Sequence, residues 1–193
     1  MAPDIPFGIM VEVPACALMA HQLAQEVDFF SVGTNDLVQY TLAVDRGNQH
    51  VAHLYQPLHP ALITLLSHVI QSANEAGIDI SMCGEMAGDP VCVPVLVGMG
   101  LRSLSMNPTS IPLIKAQIKV LSLSDCEALH NELKTLNTVE LISTHVRRRL
   151  HELLDGKMAT EILDSYLDPN PLVSAIAQRG TIESLPPGEF DES

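Results

Sequence analysis

The sequence predicts an α/β fold with parallel strands, and two observations lead to this prediction. Short apolar runs alternate with longer segments in which apolar residues recur at helical spacing. Three of the apolar runs lead directly into polar or reactive residues. In α/β proteins the chemistry lies where parallel strands end and loops begin. We therefore expect a functional site at one edge of a parallel sheet.

Composition limits the class of protein. The chain has 193 residues, of which 47% are hydrophobic, so it can bury a core. Its net charge of −13 argues against a nucleic-acid partner. No apolar run approaches the roughly 18 residues of a membrane span and no secretory signal is evident, so we expect a cytoplasmic protein without a membrane contact. The four cysteines have no CxxC spacing, which favours free thiols.

The first part of the chain predicts two strand–helix units. Residues 9–13 form an apolar run, and residues 15–26 carry apolar positions at helical spacing after Pro14. A second strand is predicted at 29–32. A short helix with a loop follows at 37–44.

The middle of the chain continues the alternation. A long helix is predicted at 60–76, with Gly77 as the residue that ends it. A third strand follows at 79–82, a helix at 90–98 and a fourth strand at 103–106. This order predicts right-handed crossovers between parallel strands, although four such units are only half of an eight-unit barrel.

Three further helices are predicted beyond the last strand. They cover residues 111–120, a segment that starts at Ser124 as N-cap and runs to residue 133, and residues 138–154. We assign residues 1–156 to one domain. Residues 157–193 are expected to be a weakly structured acidic tail, in which 157–179 could hold one more helix.

Two carboxylates are candidate metal ligands. Glu12 follows the first strand; the alternative is a buried Glu paired with a cation, but Arg46 is the only Lys or Arg before Arg102. Asp36 follows the second strand, where it could instead be a turn or N-cap residue. Taken together, two hard oxygen ligands at neighbouring strand ends favour Mg²⁺ or Mn²⁺.

Cys83 and Arg46 are candidates for substrate chemistry. Cys83 ends the third strand beside Gly84; the alternative is a small buried apolar residue, and the neighbouring metal site favours catalysis. Arg46 could form a surface ion pair, but its planar cation suits a phosphate or carboxylate substrate. For Glu85 and Asp89 we favour structural roles, such as capping the next helix.

Three segments together resemble a known family: residues 8–14, 28–48 and 82–90. They are similar to the phosphoenolpyruvate-binding barrel of enzyme I of the bacterial phosphotransferase system, with pyruvate phosphate dikinase and phosphoenolpyruvate synthase as more distant relatives. The resemblance runs from Gly8 to about residue 154. It implies the C-terminal half of a (β/α)8 TIM-type barrel with trailing helices.

The resemblance also implies roles for single residues. Glu12 and Asp36 would bind Mg²⁺, and Asn35 and Arg46 would hold phosphoenolpyruvate together with Asp36. Cys83 would be the acid that protonates the enolate carbon as pyruvate forms. The implied partners are a histidine-phosphocarrier protein, of either the sugar-transport branch or the nitrogen-related branch of the system, and a second copy of the chain in a homodimer.

The sequence departs from that family in two ways. No histidine lies in a Gly-rich, Ser-His-containing phosphoacceptor segment, and the first four barrel strands, with their further arginines, are missing. We therefore expect the chain by itself to be inactive. The alternatives are a non-catalytic dimerisation fragment, a segment of a dikinase or synthase relative, and a Mg²⁺-dependent lyase or aldolase of the same barrel superfamily. The loop that contains Cys83, residues 82–89, argues against the lyase or aldolase.

Overall fold

A computed structural model of the chain describes residues 5–154, 156 and 158. Within this part, four strands form one parallel sheet in the order of the sequence. The strands are β1 (Gly8–Val11), β2 (Phe29–Gly33), β3 (Asp79–Cys83) and β4 (Ser103–Leu104). The predicted α/β fold with parallel strands is confirmed.

Helices connect the strands and continue beyond the sheet. Those described are α1 (Pro14–Leu18), α2 (Ala20–Leu23), α3 (Thr34–Leu42), α4 (Pro60–Ala76), α5 (Val93–Gly98), α6 (Ile111–Val120), α7 (Leu123–Leu133) and α8 (Val139–Leu153). Two short 3₁₀ turns lie at Ala52–Leu54 and Glu85–Gly88. None of these helices has the length and apolar character needed to cross a bilayer.

The core lies between one face of the sheet and the helices. Because side chains alternate along a strand, Phe30, Val32 and Met82 point to the same side, and all three are fully buried. Ser31 and Ser81 occupy the opposite face and are partly exposed. This second face leads to the strand ends where the candidate residues lie.

Two helices match the sequence prediction in full. α4 begins at Pro60 and ends at Ala76, and Gly77 adopts a left-handed conformation with φ of 71°. α6 covers Ile111–Val120, as predicted. Both have clear amphipathic spacing and a proline in the first turn, which is the local information that fixes helix bounds.

The predicted helix at 15–26 is wrong in its continuity. It is divided into α1 and α2 at Met19, whose φ and ψ of −92° and 10° leave the helical region. Both short helices pack against α4. Tertiary packing therefore overrides the continuous helical spacing that the sequence shows.

Three helix starts also differ from the predictions. α3 begins at Thr34, whereas the short helix and loop were predicted at 37–44. α5 begins at Val93 rather than at residue 90, because the Asp89 carboxylate accepts hydrogen bonds from the N–H groups of Val91 and Cys92 and holds a turn there. The N-cap of α7 is Ser122 instead of Ser124, and its hydroxyl accepts from the Asp125 N–H. The predicted tail at 157–193 and its possible helix lie outside the described residues, apart from Met158.

Candidate functional site at the strand ends

The register of the sheet brings three strand ends side by side. Val11 pairs with Val32, and Gly33 pairs with Cys83. Glu12, the first residue after β1, therefore lies beside Gly33. A Cβ added to Gly33 would lie 3.1 Å from Glu12 Oε2, so the glycine makes room for the carboxylate.

Cys83 is the last residue of β3, and its side chain is half-buried. Its thiol donates a hydrogen bond to the Val32 carbonyl at 3.4 Å, and Ser31 Oγ lies 3.8 Å from the sulfur. The Thr34 hydroxyl donates to the Cys83 carbonyl at 3.1 Å. The backbone of Cys83 is thus fixed by β2, while its thiol has only weak hydrogen-bonding partners.

Asn35 is the second residue of α3 and faces the β3 loop. Its Oδ1 accepts a hydrogen bond from the Glu85 backbone N–H at 3.0 Å. Because a backbone N–H can only donate, this contact fixes which side of the amide faces Glu85. The NH₂ group of Asn35 is then the part that can donate to an anionic ligand.

Gly84 allows the β3 loop to approach α3 closely. Its φ of 108° and ψ of −177° lie in a region that is essentially restricted to glycine. A Cβ at this position would lie 2.5 Å from Thr34 Oγ1 and 2.9 Å from Asn35 Oδ1. Any side chain would therefore push the loop after β3 away from the first turn of α3, which carries Asn35.

A cleft of about 400 Å³ opens beside these residues. Its walls come from the loops after β2, β3 and β4, and are formed by Asn35, Cys83, Gly84, Glu85, Gly88, Ser105, Met106, Asn107 and Ser110. The sequence predictions did not include the wall after β4. A signal was present, because residues 107–110, Asn-Pro-Thr-Ser, directly follow the fourth strand predicted at 103–106, which the structure ends at Leu104.

Asp36 and Arg46 are not among the residues that form the described walls of this cleft. Asp36 is the third residue of α3, whose N-cap is Gly33, so the alternative interpretation of Asp36 as an N-cap is wrong. The helix N-terminus favours a carboxylate there. Arg46 is exposed in the loop after α3, and its backbone N–H donates to Gln39 Oε1 at 3.4 Å.

Tyr55 links these two residues to the cleft. Its buried hydroxyl donates to the Asn35 carbonyl at 3.3 Å. Burial raises the pKa of Tyr55 to about 12; the negative charges of Glu85 and Asp36 also raise this pKa, whereas the positive charge of Arg46 lowers it. One phenol therefore stays protonated and lies within electrostatic range of all three charged side chains.

Glu12 makes no ion pair with a Lys or Arg in the described part of the chain. Its negative charge acts on Cys16, whose pKa is raised by burial first and by Glu12 second. The described residues hold no cluster of three or more His, Cys, Asp or Glu side chains that could bind a metal. A Mg²⁺ site needs only one or two carboxylates, since water and substrate oxygens complete the shell.

Asp89 has the structural role expected of it. Its carboxylate accepts from the Val91 N–H at 2.7 Å and from the Cys92 thiol at 3.2 Å. Burial, and then Asp89, raise the pKa of Cys92 well above its usual value. This second cysteine near the β3 loop is therefore an inert thiol, and Cys83 is the one that borders the cleft.

Comparison with known proteins gives this site its context. Residues 1–123 match the family described as PEP-utilising enzyme, PEP-binding domain, and the chain belongs to that family. Its relatives include proteins named phosphoenolpyruvate-protein phosphotransferase. The one from Geobacillus stearothermophilus is 49% identical over 148 residues, which cover 77% of this chain and 26% of the relative.

Two further relatives carry the same name. The protein of Bacillus subtilis (strain 168) is 46% identical over 147 residues, which cover 76% of this chain and 26% of the relative. That of Streptococcus equinus is 48% identical over 135 residues, which cover 70% of this chain and 23% of the relative. The chain thus spans about a quarter of the length of the curated relatives it matches, and the resemblance deduced from the three sequence segments is confirmed.

Proposed function

We propose that this chain is a segment of a phosphoenolpyruvate-protein phosphotransferase. It would bind phosphoenolpyruvate with Mg²⁺, and the phosphoryl group would pass to a protein histidine as pyruvate leaves. The observation that carries the proposal is that Glu12 lies against Gly33, the register partner of Cys83, while Asn35 contacts the loop that follows Cys83, in a chain of the PEP-binding family.

The charged and polar side chains would hold the substrate. Glu12 and Asp36 supply carboxylates at the ends of β1 and β2, and neither is used as a helix cap. Mg²⁺ bound by them would stabilise the negative charge of the phosphoryl group and of the enolate. The NH₂ group of Asn35 and the guanidinium of Arg46 would donate to the phosphate or carboxylate oxygens.

Cys83 would complete the reaction. When the phosphoryl group leaves phosphoenolpyruvate, an enolate remains, and its methylene carbon must gain a proton to become the methyl group of pyruvate. The half-buried thiol lies in the cleft wall beside Asn35, with no strong hydrogen bond that would hold its proton. It is therefore suited to act as the general acid.

Three parts of the proposal concern what lies around the site. The four-stranded sheet would be the C-terminal half of an eight-stranded barrel, in which the face that carries Ser31 and Ser81 points inward. A histidine-phosphocarrier protein would be the final acceptor. The active form would be a homodimer.

The proposal is tested with the full-length protein, labelled phosphoenolpyruvate, Mg²⁺ and a histidine-phosphocarrier protein. We expect acid-labile label on the carrier and an equal amount of pyruvate, with both products lost on chelation of Mg²⁺. A Cys16→Ala variant serves as control, because this cysteine lies outside the cleft walls. Pyruvate release without label on any protein, or neither product, would contradict the proposed function.

A further inference from the structure

Ser31 and Cys83 are neighbours on the open face of the sheet. Ser31 precedes Gly33 by two residues on β2, and Gly33 is the register partner of Cys83. Residues two apart on a strand share a face, so Ser31 and Cys83 are diagonal neighbours on that face. Their side-chain atoms Oγ and Sγ are 3.8 Å apart.

The other contact of the thiol determines what Ser31 can do. A carbonyl can only accept, so the thiol donates to Val32 O at 3.4 Å. The hydroxyl of Ser31 can then donate to the sulfur. A neutral sulfur accepts weakly, whereas a thiolate accepts a charge-assisted hydrogen bond that is roughly twice as strong.

The surroundings give a thiolate little other support. The ionisable side chains described near this edge of the sheet include the acids Glu12, Asp36, Glu85 and Asp89, the phenol of Tyr55, the buried thiol of Cys92 and the exposed Arg46. Carboxylates disfavour a second negative charge nearby. The hydroxyl of Thr34 already donates to the Cys83 carbonyl. Among the described residues, it is therefore Ser31 whose hydroxyl contacts the sulfur of Cys83.

We propose that Ser31 is a positioning residue for the protonation step, holding the Cys83 thiol and donating a hydrogen bond to the thiolate that the step creates. In this step the electron pair of the enolate double bond takes the thiol proton to form the new C–H bond. The enolate oxygen becomes the ketone, the S–H electrons stay on sulfur, and water later returns a proton. This inference rests on the proposed function.

The first test compares two matched variants of the full-length protein. Ser31→Ala removes the hydroxyl next to the sulfur, and Ser81→Ala removes one at the paired register position on β3. We expect Ser31→Ala to lower kcat for pyruvate formation about tenfold or more with KM for phosphoenolpyruvate nearly unchanged. Ser81→Ala should leave both constants close to wild type. Equal effects of the two variants, or a normal kcat in Ser31→Ala, would overturn the proposal.

The second test needs no substrate and remains informative if the proposed function fails. It follows alkylation of Cys83 by iodoacetamide against pH in the 193-residue chain with Cys16→Ser. Cys92 and Cys126 are 1% and 0% exposed, and burial raises the pKa of both thiols, so they do not interfere.

We expect Ser31→Ala to change the alkylation profile of Cys83, with slower alkylation around neutral pH, because the thiolate loses its hydrogen-bond donor. Ser81→Ala should not move the profile. A superimposable profile in Ser31→Ala would show that the hydroxyl does not act on the sulfur. A shifted profile in a protein that fails to transfer phosphoryl groups would retain the Ser31–Cys83 contact and reject only the proposed function.

Discussion

The side-chain oxygen of Asn35 accepts a hydrogen bond from the backbone N–H of Glu85 at 3.0 Å. This bond joins the first turn of α3 to the loop after β3. It joins two residues of the cleft wall and points the Asn35 NH₂ group away from the loop. One side chain therefore has a structural half and a half that is available to a ligand.

Replacing Asn35 by aspartate separates these two halves. The new carboxylate of the Asn35→Asp variant still accepts from the Glu85 N–H, but it offers no N–H donor and adds a negative charge. We expect phosphoenolpyruvate to bind at least about tenfold more weakly, with little change in Tm. The Asn35→Ala variant should have both a lower affinity for phosphoenolpyruvate and a lower Tm. Calorimetric titration with Mg²⁺ present measures the affinity, and wild-type binding by Asn35→Asp would refute the donor role of the NH₂ group.

Gly84 is a glycine at which we expect an alanine substitution to be strongly destabilising. An alanine Cβ there would come within 2.5 Å of Thr34 Oγ1 at a φ of 108°. We expect Gly84→Ala to reduce the free energy of unfolding by about 2 kcal/mol or more. Gly77→Ala is the control, since φ is also positive there but nothing lies within 4 Å, and should cost about 1 kcal/mol. Urea unfolding measures the free energy of unfolding of both variants. Equal losses of this free energy in Gly84→Ala and Gly77→Ala would contradict the steric argument.

Glu12 and Asp36 are predicted to bind one divalent cation. Glu12→Gln and Asp36→Asn keep the shape of each side chain and remove its charge. We expect each variant to weaken Mn²⁺ binding in the presence of phosphoenolpyruvate by about tenfold or more, measured by electron paramagnetic resonance on the full-length protein. Glu26→Gln, at an exposed position away from the strand ends, should bind Mn²⁺ normally. Unchanged affinity in both site variants would remove the metal assignment.

His130 is predicted to make stability depend on pH. It is 7% exposed and lies 2.9 Å from Ser67 Oγ. Burial first, and then Lys134, lower its pKa below the ordinary value of 6.5. The unfolded chain therefore binds more protons at this position than the folded chain between the two pKa values. The stabilisation is fully present above 6.5 and is lost as pH falls through the folded pKa.

Thermal unfolding of His130→Gln from about pH 8 to about pH 5 checks this sign. The variant should have a lower Tm than wild type at the upper pH. The difference between the two proteins should shrink as pH falls. A constant difference across the range would mean that His130 does not titrate on unfolding.

The sequence predicted the elements best where local signals decide their bounds. α4 and α6 each have a proline at the start and regular apolar spacing, and their bounds are as predicted. The separation of α1 from α2 at Met19 depends on packing against α4, which the spacing of residues 15–26 does not contain.

The candidate site was predictable in part for a similar reason. Strand ends could be located from apolar runs, so Glu12, Asn35 and Cys83 were expected at one edge. In the structure Glu12 lies against Gly33, the register partner of Cys83, and Asn35 contacts the loop after β3. Contacts between segments that are distant in the sequence could not be predicted from it, because they depend on strand register. The Ser31–Cys83 contact and the hydroxyl of Tyr55 on Asn35 are of this kind.

Turnover of a Cys83→Ala variant tests the central claim most directly. We predict that the full-length variant binds phosphoenolpyruvate within about threefold of wild type, while its rate of pyruvate formation falls at least about a hundredfold. Such a split is expected of a group needed only when the enolate carbon is protonated. Pyruvate formation at the wild-type rate would contradict the account and leave Cys83 as a structural residue of β3.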